Sequence, residues 1–181
     1  MSNETEMKDN VREDVYDKEL FDRLLDQNDI DEFRKEFLEL HNYEQSEYFE
    51  DTDDENRQKI FEFLSPKEVA NFFDQLDFDD DDYESLFDNM DATYASHVLE
   101  EMSYDNAVDI LNELSKPKVA SLLTLMNKDK ANEIKALLHY EEDTAGGIMT
   151  TEFISLKSTT PVKEALIHVK EQAPDAETIY V

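Results

Sequence analysis

The 181-residue chain carries 47 acidic and 17 basic residues, for a formal charge of −30. This excess argues against nucleic acids and anionic membranes as partners, because their phosphates would be repelled. Cysteine is absent, which excludes disulfides, thiol nucleophiles and thiolate zinc sites. No apolar run approaches the roughly 18–20 residues that cross a bilayer, and the first residues lack the pattern of a signal peptide. We therefore expect a soluble chain that offers many carboxylate oxygens to small hard cations.

The first 50 residues have the apolar spacing of amphipathic helices. Asp29 or Asp31 is positioned to cap the second of two helical stretches. The next segment, residues 42–57, is polar and acidic, and we expect a loop or a helix edge there. The apolar residues of the two stretches are Val15, Leu20, Phe21, Leu24 and Leu25, then Ile30, Phe33, Phe37, Leu38 and Leu40.

From residue 64 onward the chain repeats a unit of about 12 residues that begins and ends on Leu or Met. Each unit has a capping candidate at its second position and a small residue near its middle. The segments are 64–76, 90–102, 102–114, 114–126 and 126–138, with 76–90 as the same unit plus two residues. The capping candidates are Ser65, Asp91, Ser103, Ser115 and Asn127, and the small residues are Ala70, Ala95, Ala107, Ala120 and Ala131.

Each unit has room for a helix of roughly nine residues and a turn, with the cap satisfying the first N–H groups. Ser65 and Glu68 have capping-box spacing, and Pro66 and Pro117 fall in first turns, where a missing N–H costs little. Helices this short are unstable alone, so neighbouring units must bury their apolar stripes. We therefore predict a mainly α fold, a superhelix of short repeated helices. The methionines that end repeats are interpreted as core residues: Met90, Met102 and Met126.

The pattern changes after the last repeat. The only two glycines stand together at 146–147, and the apolar spacing then becomes alternating. Residues 152–156 (EFISL) are predicted to form a strand. Thr160 is expected to cap a helix with Pro161 at its first position, and residues 178–181 (TIYV) to begin a second strand. The chain stops inside that apolar strand, which would leave an unpaired edge, so we expect a trimmed polypeptide.

Two segments near the end resemble the junction of MgtE magnesium transporters, where the helical N domain passes into the first CBS domain. They are HYEEDTAGGIMTTEFISL (139–156) and APDAETIYV (173–181). The strings YEEDTAGG and PDAETIY are specific to MgtE, whereas IMT (148–150) and PVKEAL (161–166) are shared by CBS domains generally. The repeats match the family's N domain as well, so the resemblance extends over roughly residues 55–181.

The resemblance implies a domain organisation and a mode of action. Residues 1–138 would be the superhelical N domain, 139–150 the junction, and 151–181 the first β-α-β elements of a truncated α/β CBS domain. The family forms homodimers whose N and CBS domains lie on the cytoplasmic side of the membrane, below a transmembrane pore. Mg²⁺ bound among these domains favours the closed pore.

The resemblance also assigns candidate metal ligands. Two aspartates on an N-domain helix bind Mg²⁺ in the family, and the matching positions in LEEMSYDNAVDIL (99–111) are Asp105 and Asp109. Their i, i+4 spacing puts them on one helical face, although spacing alone favours a solvated face. Two carboxylates suffice chemically, because Mg²⁺ keeps much of its water. A further acidic ligand of the family falls on Asn71, which leaves the number and affinity of the sites open.

Two further acidic clusters and the histidines are weaker candidates for metal sites. The acidic run 77–82 has the alternating aspartates of a calcium loop, but Asp82 and Asp88 stand where an EF-hand needs Gly and Glu. We interpret the run as an acidic turn and helix N-terminus. Residues 141–143 are either a solvated linker or part of a cation-dependent interface. The four scattered histidines are interpreted as surface or interface residues: His41, His97, His139 and His168.

The function that we expect is Mg²⁺ sensing: a cytoplasmic regulatory region that gates a magnesium transporter or channel through closure of its N and CBS domains. We predict no catalytic residues and no enzyme activity and assign no cofactor-binding residues, while nucleotide binding by the CBS part stays open. The expected partners are Mg²⁺, the protein's own CBS and pore domains, and a second copy in a homodimer. Two alternatives stay open. One is an α-solenoid adaptor similar to flagellar motor switch proteins, and the other is the helical leader of a CBS-regulated enzyme.

Overall fold

The computed structural model describes residues 16–76, 80–140, 144, 146, 149, 153–173 and 176, and for residues 80–82 the backbone alone. The described residues form eleven α-helices and no strand. The helices are α1 (Lys18–Asp26), α2 (Ile30–Phe37), α3 (Asn42–Glu50), α4 (Asp54–Phe63), α5 (Pro66–Phe73), α6 (Asp80–Asp88), α7 (Ala92–Glu101), α8 (Tyr104–Glu113), α9 (Lys116–Leu125), α10 (Lys128–Leu137) and α11 (Val162–Gln172). None of these described helices is long and apolar enough to span a membrane. The prediction of a mainly helical fold is confirmed.

Helices α5 to α10 lie within the six predicted repeat segments. At Ser65 the predicted capping box is present, because the Glu68 carboxylate accepts from the Ser65 N–H (2.8 Å) while Ser65 Oγ accepts from the Glu68 N–H (3.4 Å). Ser103 and Ser115 hold the N-cap positions of α8 and α9 without a side-chain capping hydrogen bond. Five further helices are capped by a side-chain oxygen, from Asp17, Asp29, Asp53, Asp91 and Asn127.

The segment 42–57 was predicted as a loop or helix edge, and that prediction was wrong. It contains all of α3 and the start of α4. Although this stretch has few apolar residues, Tyr48 and Phe49 are fully buried and give α3 an inward face. Two polar neighbours are buried with them, and each donates to a backbone carbonyl, Gln45 at 2.9 Å and Ser46 at 2.8 Å. Because these groups are hydrogen-bonded, their burial carries little cost.

The helices pack mainly on the helix two positions along the chain. One row runs α3–α5–α7–α9 and a second runs α6–α8–α10, while α1 packs on α2 and α4. The core under α1 to α5 is largely aromatic, with ring contacts among Phe21, Phe33, Phe37, Tyr48, Phe49, Phe63, Phe72 and Phe73. From α6 onward it is built largely from aliphatic side chains. The methionines predicted as core residues are buried there: Met90, Met102 and Met126.

The C-terminal part departs from the prediction in two ways. Residues 153–157 form no strand. A strand exists only when a neighbour pairs with it, and the second predicted strand, 178–181, lies outside the described residues. Helix α11 begins one residue later than predicted, because Pro161 has a non-helical ψ of 140° and takes the N-cap position that was assigned to Thr160.

Candidate cation-binding site

Helix α8 carries both aspartates that were predicted to bind metal. Asp105 lies in its first turn and is half-buried, and Asp109 lies one turn later and is exposed. The i, i+4 spacing puts both side chains on one side of the helix. The opposite side packs into the core through Ala107, Val108, Ile110 and Leu111. The two aspartates therefore share the side of α8 that is turned away from these core residues.

One carboxylate oxygen of Asp105 stands out chemically. Its Oδ1 is buried and accepts no hydrogen bond from any described residue. Leaving a buried acceptor without a donor costs about 1–3 kcal/mol, and more when the group is charged. Such a group in a folded protein calls for an ion or a water molecule. Asp105 Oδ1 therefore fits a hard cation.

Asp109 faces a cleft of about 280 Å³ between the end of α5, α6 and α8. Two further carboxylates line the same cleft: Asp74, the C-cap residue of α5, and Glu113, the last residue of α8. The remaining lining residues are Phe73, Leu76, Tyr83, Asn106 and Ile110. The cleft thus brings together acidic groups from two helices that are about 30 residues apart in the sequence.

The electrostatics of this cleft favour cations. Its lining includes three carboxylates and no lysine or arginine among the described residues. A cleft lined by charges of one sign raises the local concentration of counter-ions. Carboxylate oxygens are also the ligands that Mg²⁺ and Ca²⁺ prefer. The residues present therefore fit a hydrated divalent cation.

Asp74 and Glu113 were not among the residues predicted to bind metal. The signal for Glu113 was available, since Asp105, Asp109 and Glu113 follow one another at intervals of four and form a single acidic stripe on α8. Asp74 had no such signal, because it reaches the cleft only through the packing of α5 near α8. It lies three residues after Asn71, the position that lacks the acidic ligand expected from the resemblance.

The described residues do not assemble a closed metal site. Among them no group of three or more His, Cys, Asp or Glu side chains could hold a metal ion, and Asp105 does not line the cleft. In the acidic run, Asp77 and Asp79 fall outside the described residues, as do residues 141–143, while residues 80–82 form the first turn of α6. The histidines are exposed or half-buried: His41, His97, His139 and His168.

Comparison with known protein families gives one match over most of the helical part. The family described as "MgtE intracellular N domain" matches residues 40–143. Three curated proteins named "Magnesium transporter MgtE" are similar to the chain. The one from Enterococcus faecalis is 46% identical over 151 residues, which is 83% of this chain and 33% of that protein. The one from Bacillus subtilis is 27% identical over 157 residues, 86% of this chain and 34% of that protein.

The third, from Thermus thermophilus, is 50% identical over 48 residues, 26% of this chain and 11% of that protein. The chain thus spans about a third of the length of the first two relatives. Two solved structures share its fold. One, the soluble part of a magnesium transporter, is 44% identical with a TM-score of 0.84, over 90% of this chain and 64% of that one. The other, the cytosolic domain of the Mg²⁺ channel MgtE in complex with ATP, is 26% identical with a TM-score of 0.80, over 90% and 66%.

Proposed function

This chain belongs to the MgtE family through its intracellular N domain, and on that premise we propose that it is the Mg²⁺-sensing cytosolic region of a magnesium transporter or channel. The resemblance seen in the sequence is confirmed at the level of the family. Relatives that match most of the chain are named as magnesium transporters. The role proposed for this region is therefore regulation by Mg²⁺, with no catalytic step.

The observation that carries the proposal is the acidic stripe on α8. It begins at Asp105, which has a buried carboxylate oxygen without a donor among the described residues, and continues through Asp109 into the acidic cleft. Mg²⁺ usually binds through one or two carboxylates and keeps several of its waters. We infer that Asp105 and Asp109 supply such ligands at a surface where a second domain adds the others.

The proposed mechanism is electrostatic. Carboxylates on α8 facing carboxylates of a neighbouring domain repel one another, which disfavours the closed arrangement. A bridging Mg²⁺ removes that repulsion, so a rising Mg²⁺ concentration shifts the population toward the closed arrangement. In the proposed organisation the N domain covers residues 1–138, the junction 139–150, and the start of the first CBS domain 151–181. The CBS domains, a pore domain and a second copy would be its partners.

The test is the Mg²⁺ dependence of domain closure, measured by small-angle X-ray scattering on the cytosolic region with complete CBS domains. Mg²⁺ is expected to compact the particle at constant ionic strength. The double variant Asp105→Asn, Asp109→Asn should raise the midpoint about tenfold, which corresponds to about 1.4 kcal/mol. A matched control is Asp129→Asn with Glu133→Gln, an exposed i, i+4 pair on α10. Superimposable scattering curves with and without Mg²⁺ would refute the sensing function.

A further inference from the structure

Helix α9 differs from the other repeat helices at its central alanine. In α5, α7, α8 and α10 that alanine is 0–3% exposed, because neighbouring helices cover it. In α9 the central alanine, Ala120, is exposed. It is the seventh residue of its repeat. The seventh residues of the α5, α7 and α8 repeats, Ala70, Ser96 and Val108, are buried, and that of the α10 repeat, Asn132, is polar and exposed. On the other side of the helix Leu125 is 43% exposed. A helix with apolar residues on most of its circumference is normally buried. Helix α9 has such a composition, yet one of its faces is exposed to solvent.

The uncovered face forms the floor of a groove of about 520 Å³. Its apolar lining comes from the ends of α8 and α10 as well as from α9: Leu111, Leu114, Val119, Ala120, Leu123 and Leu138. The α9 positions that line it run from 116 to 124 at helical spacing, which is about 12 Å of helix axis. A groove of this form suits an amphipathic helix, which inserts apolar residues at i, i+3 or i+4, and i+7.

The groove is also basic, in contrast to the overall charge of the chain. Residues 114–138 contain five lysines and two acidic residues, a net charge of +3 in a chain of −30. Lys116 and Lys135 line the groove and are exposed. Neither forms an ion pair with a described residue, whereas the nearby Lys118 pairs with Glu84 and Asp88. A helix bound in the groove could pair both lysines with Asp or Glu residues that flank its apolar stripe.

We propose that this groove is a docking site for an acidic amphipathic helix of a separate partner protein. The described part of the chain does not fill it. Helix α11 has an exposed apolar stripe, but it carries two lysines and two glutamates and so lacks the complementary charge. In a second copy of the chain the acidic helix α6 has its apolar side chains Leu86 and Phe87 buried, so it is not free to insert them into the groove.

The first experiment measures the chemistry of the groove directly. The probe is a fluorescently labelled helical peptide of about 15 residues with Leu at i, i+4, i+7 and i+11 and Glu on the flanks. Binding to the intact chain is followed by anisotropy in EDTA, which keeps divalent cations out of the measurement. We expect a Kd on the order of ten micromolar. A scrambled peptide, and one with Lys in place of Glu, should bind at least about tenfold more weakly.

The second experiment locates the binding. Ala120→Gln places bulk in the groove, and Ala136→Gln is its matched control, an exposed alanine on the neighbouring helix that does not line the groove. Ala120→Gln should weaken binding about tenfold, as should Lys116→Glu with Lys135→Glu, while the control binds normally. Circular dichroism should show the same helix content in all of them.

Three results would overturn the proposal. The first is a peptide affinity that does not depend on the sign of the peptide's charge or on Ala120→Gln. The second is concentration-dependent self-association that Ala120→Gln abolishes, which would show that a second copy of the chain occupies the groove. The third is displacement of the probe by a synthetic peptide of residues 141–152, which would show that this chain's own junction occupies the groove.

Discussion

Arg34 of α2 links the N-terminal helices to the first repeat through its contact with Glu68. Its guanidinium donates two hydrogen bonds to the Glu68 carboxylate, at 2.9 and 2.6 Å, and one to the Phe63 carbonyl at 2.7 Å. Glu68 also accepts from the N–H and the hydroxyl of Ser65, each at 2.8 Å. Burial opposes ionisation of Glu68, but the hydrogen bonds from Arg34 and Ser65 outweigh it and lower the pKa of that carboxyl.

Replacing Arg34 by glutamine should therefore destabilise the fold in a pH-dependent way. We expect Arg34→Gln to reduce the free energy of unfolding at pH 7 by roughly 2 kcal/mol, as for hydrogen bonds to a charged group. Because the pKa of Glu68 is depressed in the folded state, this contribution is complete above the unfolded value of about 4.3. It is lost as the pH falls through the folded pKa. Urea unfolding at several pH values measures both effects.

The control for that series is Arg23→Gln. Arg23 is exposed on α1, so its replacement removes the same charge without the bidentate contact. Arg23→Gln should change the free energy of unfolding by no more than about 0.5 kcal/mol at every pH. An Arg34→Gln deficit that is unchanged between pH 7 and pH 3 would show that packing of the side chain, and not the Glu68 contact, accounts for the loss.

At the scale of the elements, α6 is held to α9 by a small set of polar contacts, which we call the clamp. Lys118 of α9 donates to the Glu84 carbonyl at 3.1 Å and to the Asp88 carboxylate. The Ser115 N–H, at the N-cap of α9, donates to the Glu84 carboxylate at 2.8 Å. This backbone hydrogen bond and the nearby Lys118 ammonium lower the pKa of Glu84. The acidic helix α6 is thereby held in place by groups from the basic end of the repeats.

Removal of the clamp should loosen α6 selectively. In Lys118→Met the apolar stem is kept and the ammonium is lost, so we expect faster amide hydrogen exchange across residues 80–88. A local opening free energy lowered by about 1 kcal/mol corresponds to roughly fivefold faster exchange. Lys116→Met is the control, since it lies on the same helix without a described ion pair. Equal exchange of 80–88 in the two variants would mean that apolar packing alone holds α6.

The helices that could be predicted from the sequence are those whose signals are local. In α5 and in α7 to α10 a cap, a central small residue and an apolar residue at each end recur within about 12 positions, and the structure has a helix in each of these segments and in the longer segment 76–90. Helix α3 was missed because only Tyr48 and Phe49 mark its inner face, and its buried Gln45 and Ser46 look exposed in a sequence. Residues 152–156 were predicted as a strand from their alternation, but strands depend on a partner elsewhere in the chain, and the described part of the segment, 153–156, forms none.

The candidate cation-binding site likewise has some features that could be predicted from the sequence and others that depend on packing. Asp105 and Asp109 were found through the resemblance, and their shared face follows from helical spacing. That Asp105 Oδ1 is buried could not be predicted, because it depends on how α8 is set against its neighbours. The approach of Asp74 to Asp109 likewise needs the packing of α5, α6 and α8. The exposure of Ala120 could not be predicted for the same reason, since the residues at its repeat position are buried in α5, α7 and α8.

For the whole molecule, the uneven distribution of charge is the dominant electrostatic feature. The chain has 30 more acidic than basic residues, yet residues 114–138 are net positive. Self-repulsion of the acidic surface destabilises the compact state, and any salt relieves it by screening. A divalent cation that binds the native state stabilises it beyond screening, by the free energy of binding. The two contributions can be separated by their dependence on particular carboxylates.

Thermal unfolding of this chain in Mg²⁺ and in NaCl of equal ionic strength makes that separation. If α8 holds a cation, Mg²⁺ at ten times its Kd should add about 1.4 kcal/mol beyond screening, which raises Tm by about 4 °C for a chain of this size. Asp105→Asn with Asp109→Asn should abolish the additional rise, whereas Asp129→Asn with Glu133→Gln should keep it. Equal rises in Mg²⁺ and NaCl would mean that the isolated chain binds no Mg²⁺ specifically, which would contradict this prediction. Because Asp105 Oδ1 already lacks a donor among the described residues, we expect the specific rise in the isolated chain.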